Sequence, residues 1–401
     1  ETAVIVSIPP VWNLVITATL TRAPGQREQQ RLEAALQAVE HAYPYNPSGV
    51  FVLVAYGLPY FRTYIRSSIF DARLPRMADT PDAADARAAP VLLDAVRFPG
   101  DPPTTLLEAN DVVFHLRSDV LANLQDVRRA LFERSGSLAG QAAPSADVSD
   151  LFHITSIRTG FVGSGLPRRM AEQAHLGIAS RIPETTPLFM GFTSSQQMGQ
   201  AREVAVSFDG QPDPLVPPLT TAQPGDYFAG GAALHLSHLT EDLDRWYALP
   251  YDERLARMFH FNAPAQPGTV TLQTMWLNPN TTEIDARQRQ VIGHNEAVQR
   301  GSRTREGQAL LLRVDFNTLD ALDVSGEAVP TPGVHFLAFS PGSWLFHRSR
   351  MGMADPALTA RYDLAPAAYG INDFIHATRR QNFLVPPRAH RAFPLVELQD
   401  A

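Results

Sequence analysis

The sequence predicts an α+β protein made of two ferredoxin-like halves, of the dimeric α+β barrel type with antiparallel sheets. Three observations lead there. The same order of strands and helices recurs in both halves. The proline-rich stretch Gln211–Pro224 divides the 401 residues nearly in two. A 44% hydrophobic composition without a single cysteine calls for an ordinary packed core rather than disulfides. The domains expected are 1–210 and 225–401, joined by a linker over 211–224.

In the first half, Val4–Ile8 is an apolar strand candidate. Gln26–Tyr43 carries Leu32, Leu36 and Val39 at helical spacing, and Val50–Tyr56 is a β-branched run. Val112–Arg117 reads as a strand running directly into the helical pattern of Asp119–Glu133. In the second half, Ala232–Leu239 is a strand and Thr240–Leu249 a capped helix start. Leu310–Phe316 and Val334–Phe339 are strands, Trp344–Met351 is helical, and Phe383–Val385 is a last strand. Each half approximates β-α-β-β-α-β. Ala83–Pro103 and Gly136–Ser149, rich in small residues and proline, read as surface excursions.

All 34 basic residues are arginine. Without lysine or cysteine there is no Schiff-base lysine, no phosphate-loop lysine, no thiol nucleophile, no iron–sulfur or zinc–cysteine centre and no thioether-linked haem. A net charge of -7 with dispersed arginines argues against nucleic acid as partner. No apolar run reaches the roughly 20 residues of a membrane span. Glu1 opens the sequence, and the expectation is export with a removed leader, with a cytoplasmic location as the alternative.

With 12 histidines and no thiols, any metal ligand is a histidine or a carboxylate. His235 and His238 are three apart on a strand and face opposite sides, so they do not form a ligand pair. Gly160–Gly165 lacks the spacing of a hydrolase elbow and reads as a tight turn where backbone approaches something flat. Arg313 and Asp315, two apart beside Leu311, share one strand face. They are either a buried ion pair or part of a site.

Several segments together resemble the dye-decolorising peroxidase superfamily. Gly230-Gly231-Ala232-Ala233-Leu234-His235-Leu236 leading into Leu243-Asp244-Arg245-Trp246 is similar to that family's glycine-glycine strand and following helix. Leu311-Leu312-Arg313 resembles its isoleucine-leucine-arginine strand, and Gly333-Val334-His335-Phe336-Leu337-Ala338-Phe339 its next strand. Asp373-Phe374 with Asn382-Phe383-Leu384-Val385-Pro386-Pro387 is similar to its closing segment. Asn110-Asp111-Val112-Val113-Phe114-His115-Leu116-Arg117-Ser118-Asp119 resembles a strand of its first domain.

The resemblance implies a haem b pocket in the C-terminal half, with His294 as the iron ligand. It makes Arg313 the arginine that stabilises bound peroxide and places Asp315 where many members have asparagine. Asp373 becomes the acceptor for the far nitrogen of the ligand histidine, with His260 and His335 as alternative ligands. Phe161, Arg300, Phe336 and Phe339 are expected against the cofactor, and Ser164 in the distal pocket. Where the family has its G-x-x-D-G aspartate, this chain reads Gly163 or Ser164. Substrate entry is expected near the Gly160–Arg169 turn, with Arg168 and Arg169 as donors to haem propionates or an acidic substrate.

The function implied is a haem-dependent, peroxidase-type oxidation of a small organic molecule by peroxide, with a homo-oligomer as a further expectation. Two alternatives stay open: a haem-binding or haem-handling protein without turnover, and a cofactor-free structural module of the same fold.

Overall fold

The computed structural model describes residues 10–192, 200–209, 218–259, 279–320, 329–365 and 368–399. Val4–Ile8, residues 211–217 of the expected linker, and His260 lie outside the described residues.

The first described strand is β1 (Trp12–Leu20). Its β-branched alternation sends Leu14, Ile16 and Ala18 to one face and Asn13, Val15 and Thr17 to the other. Helix α1 (Gln26–Ala42) buries Leu32, Leu36 and Val39 against the Leu14 and Ile16 face. Each such leucine contributes about 1.5–3 kcal/mol. Then come β2 (Phe51–Gly57), β3 (Val112–Ser118), α2 (Leu121–Phe132) and β4 (Phe152–Phe161). Sequence reading passed over β4, because its outer positions are exposed and its inner ones include Arg158, so it carries no apolar run.

The second half supplies β5 (Ala232–Glu241), helix α3 (His294–Ser302), β6 (Phe316–Thr318), β7 (Gly333–Ser340), α4 (Ser343–Gly352) and β8 (Ile375–Val385). The strand order is β4-β1-β3-β2 in one half and β8-β5-β7-β6 in the other. Both are the ferredoxin-like order. β8 pairs with β2, and β6 pairs with β4 through Asn317 opposite Phe161. Eight of the sheet's ten strands therefore close into an antiparallel barrel with helices outside.

Inside the barrel, Val15, Ala55, Val113, Leu234, Leu236, Phe316, Leu337 and Phe383 form an apolar plug. Beside it lie buried polar groups. Arg158 donates through Nη2 to both carboxylate oxygens of Glu108 at 2.6 and 2.7 Å. His335 bonds Asp320 at 3.2 Å, and its ring faces that of His238 at 4.8 Å between centroids. His235 points to the other face and bonds Asn382 at 2.7 Å, as the three-residue spacing requires.

Several expected segments take a different form. Leu310–Phe316 is not one strand: Leu312–Arg313 pairs with β7 at Phe339 and Ala338, and pairing resumes at Phe316. Ala83–Pro103 is not a surface excursion. Ala83, Ala86, Val91, Leu92 and Phe98 are buried, and Val91 accepts a hydrogen bond from the Ser343 amide at the start of α4. Apolar residues scattered among prolines fill the groove beside that helix without any periodicity to announce it. Part of Gly136–Ser149 is a short hairpin, Ser137–Leu138 with Gln141–Ala142. Gly160 itself is a strand residue of β4 rather than part of a turn, and its backbone approaches something flat: a Cβ there would lie 2.2 Å from the Phe316 ring.

Candidate functional site

The outer face of the C-terminal sheet carries a cavity of about 200 Å³. Alternate residues of β5, β7 and β8 face it, among them Leu239, Val334, Phe336 and Ile375. α3 and α4 cover the other side, contributing His294 and Val298 from one and Phe346 and Arg350 from the other, with Met353 just past the end of α4. Leu188, Met190 and Phe192, which follow the first ferredoxin-like half, close an end.

His294 is the first residue of α3. The helix start is held by Glu296, whose carboxylate accepts the Gly293 N–H at 2.9 Å. Burial, then the positive charges of Arg313 and Arg350, press the His294 pKa down to about 3. The ring is therefore neutral, with a lone pair to offer. Among the described residues, no group of three or more His, Asp and Glu could hold a bare metal ion. One neutral histidine at the edge of an apolar cavity fits a metal whose remaining ligands come from a flat organic macrocycle, as in haem.

Leu311, Arg313 and Asp315 all line the cavity. The Arg313 amide donates to Gln200 at 2.7 Å, which fixes this edge of the wall. Two carboxyl groups that the sequence did not single out are there as well. Glu241 ends β5, is buried, and among the described residues has no hydrogen-bond partner at Oε2. Burial lifts its pKa to about 8, so it is an uncharged acid at neutral pH. Asp101 receives two guanidinium groups, Arg380 at 2.8 Å and Arg350 at 3.4 Å.

A family model matches residues 10–387 of the chain, which is nearly all of it. The chain belongs to the family of unknown function DUF7405. No curated protein is significantly similar to it. Among solved structures, this DUF7405 chain resembles the encapsulated DyP-type peroxidase of Mycobacterium smegmatis at 14% identity and TM-score 0.56, covering 97% of this chain and 96% of that one. The DyP-type peroxidase of Cellulomonas bogoriensis gives 18% identity and TM-score 0.55, covering 95% and 91%. A DypB variant of Rhodococcus jostii RHA1 in complex with heme gives 14% and 0.53, covering 97% of both chains. At these identities the likeness is one of fold: DUF7405 shares the two-domain α+β architecture of the DyP-type peroxidases.

The DUF7405 cavity brings together His294, Arg313, Asp315 and Phe336. The other expected residues lie outside its lining. Ser164 is exposed and donates to the Thr185 carbonyl at 2.8 Å. Phe161 packs edge-on against Phe189 in a neighbouring core. Arg300 faces solvent and pairs with Asp355 at 2.6 Å. Phe339 lies on the alternate face of β7 and packs against the barrel core. Asp373 is part-exposed, and its carboxylate is taken by Arg245 rather than by His294. His335 is inside the barrel. Arg168 pairs with Glu172 and Glu184 at 3.0 and 3.2 Å, away from the cavity. For Glu241 the only sequence signal was an acid closing an apolar strand; for Asp101 there was none.

Proposed function

We propose that the chain binds haem b in this cavity through His294 and acts as a peroxidase-type oxidoreductase on a small organic substrate. The observation that carries the reading is the neutral imidazole of His294 sharing one mainly apolar cavity with the Arg313 guanidinium. The haem-bound Rhodococcus neighbour supports the choice of cofactor.

Haem, when bound, would supply the one-electron oxidation chemistry that no side chain here possesses. The residues of the chain have the remaining tasks. His294 presents a lone pair that burial keeps unprotonated. Arg313 orients and stabilises an electron-rich oxygen, and a guanidinium is not a proton carrier. Gly163 and Ser164 bring no carboxylate to the cavity. Proton movement therefore falls to the carboxyl oxygens of Asp315 or Glu241. Glu241, with its pKa near the working pH, has the tuning that general acid–base transfer requires.

The test is the absorption spectrum of the natively loaded protein, followed by that of His294→Ala. A haem band lost in the variant supports the reading, whereas an unchanged spectrum in His294→Ala overturns His294 as ligand. Peroxide consumption then separates an enzyme from a haem-handling protein, the second reading, which the missing carboxylate at 163–164 favours. Glu241→Gln should slow consumption by about 10²-fold if it is the proton carrier.

A further inference from the structure

The lining of the cavity contains an arrangement that needs a ligand of its own. Arg350 comes from α4 and Arg380 from β8. Both guanidinium groups lie over the Phe98 ring, at 5.7 and 4.9 Å from its centroid, and both donate to Oδ1 of Asp101. The other oxygen of Asp101 is occupied by the Phe98 amide at 2.7 Å. One carboxylate thus serves two buried cations. Nη1 of Arg350 and both Nε and Nη1 of Arg380 are buried donors with no acceptor among the described residues.

The charge of the cavity points the same way. At this wall the Arg350 and Arg380 guanidinium groups share the single carboxylate of Asp101. Among the described residues the triad is therefore one acceptor group short for its two cations, and an unpaired buried cation is costly. A planar monoanion with two oxygens suits both the fork of donors and the single excess charge better than a phosphate dianion.

We propose that Arg350 and Arg380, oriented by Asp101, form a subsite for the carboxylate of an organic ligand whose apolar body lies in the cavity. That carboxylate belongs either to a haem propionate or to a free acidic substrate. The propionate source rests on the haem reading above, whereas the free-substrate source does not.

The experiment compares haemin, haemin dimethyl ester and benzoate, titrated into the full chain by absorbance and calorimetry. If the source is a propionate, haemin binds at least about tenfold tighter than its ester, and Arg350→Gln and Arg380→Gln bring that ratio towards one. If it is a free substrate, haemin and ester bind alike, and benzoate affinity falls about tenfold in the same variants. Asp101→Asn is the variant of opposite sign. It removes the competing charge while keeping an acceptor, so carboxylate affinity rises, whereas a purely structural triad would lose affinity. Equal binding of haemin and ester with benzoate binding absent or unchanged in the arginine variants overturns the proposal. So does a folded Asp101→Asn that gains no carboxylate affinity, even if the arginine variants fail to fold. Failure of haem to bind at all sinks the propionate source and the haem reading, and leaves the benzoate measurement to decide the subsite.

Discussion

Gly370 lies directly against His294. At φ +54 its backbone passes so close that an added Cβ would sit 2.6 Å from the His294 nitrogen and 2.7 Å from its Cα. The contact is clamped by the Gly370 amide donating to the Ile292 carbonyl at 2.7 Å, while the Ile292 amide donates to Ala368 at 2.8 Å. The loop before β8 thereby sets where α3 begins, and so where the imidazole enters the cavity.

Gly370→Ala must therefore shift the start of α3 or strain the loop, since alanine is disfavoured at positive φ. We expect haem affinity to fall at least about tenfold, a change of roughly 1.4 kcal/mol, with the protein still folded. Gly177→Ala, where an added Cβ meets nothing within 4 Å, is the control. Equal haem titration curves for the two variants would remove Gly370 from this role.

Glu296 acts on the same helix end by another route. Glu296→Ala removes the acceptor of the Gly293 amide and should cost about 1 kcal/mol of stability, together with some haem affinity. Glu296→Gln retains an acceptor and should recover most of both. Denaturant midpoints of the two variants decide, and identical losses would refute the capping role.

Glu241 makes stability depend on pH. Its folded pKa, raised by burial from the ordinary 4.5 to about 8, lies above its unfolded value. Its contribution is thus fully present below about pH 4.5 and is lost as pH rises through 8. Tyr247, the titratable neighbour on the following helix, is itself raised by burial and stays protonated across this window. Melting temperatures at pH 5 and pH 9 should show Glu241→Gln gaining on the natural chain at the higher pH. A difference that does not change with pH would mean that Glu241 is already ionised in the fold.

The barrel interior offers a fourth test. Arg158 is fully buried and held by both oxygens of Glu108. Glu108→Ala leaves that cation unpaired and should cost about 3–5 kcal/mol. Urea unfolding checks it, and a loss below 1 kcal/mol would show that another group, or water, satisfies Arg158.

Much of the architecture is written locally. Leu32, Leu36 and Val39 at helical spacing, the β-branched runs of β2 and β3, and the glycine-led strand β5 identify themselves, because amphipathic periodicity reports which face is buried. Repetition of that order in the two halves is enough to name the ferredoxin-like pattern. The same logic put Leu311, Arg313 and Asp315 on one face, and all three line the cavity. It failed for β4, whose inward positions include a charged arginine, and for Ala83–Pro103, whose burial follows from a groove made by distant residues.

What the sequence by itself determined is the element pattern, the exclusion of lysine and thiol chemistry, and the placing of Arg313 and Asp315 on one side of their segment, all of which depend on residue type and short spacing. His294 is singled out only by the family resemblance. Only the tertiary structure decided that Ser164, Arg300 and Asp373 turn to other partners, that Asp101, Arg350 and Arg380 meet in one wall, and that Glu241 lines the same cavity. Asp101 and Arg380 are 279 residues apart. Their pairing follows from the chain after Asp101 running alongside β8, with Leu106 and Leu107 paired to Arg379 and Arg380, and contacts of that range leave no periodic trace along the chain.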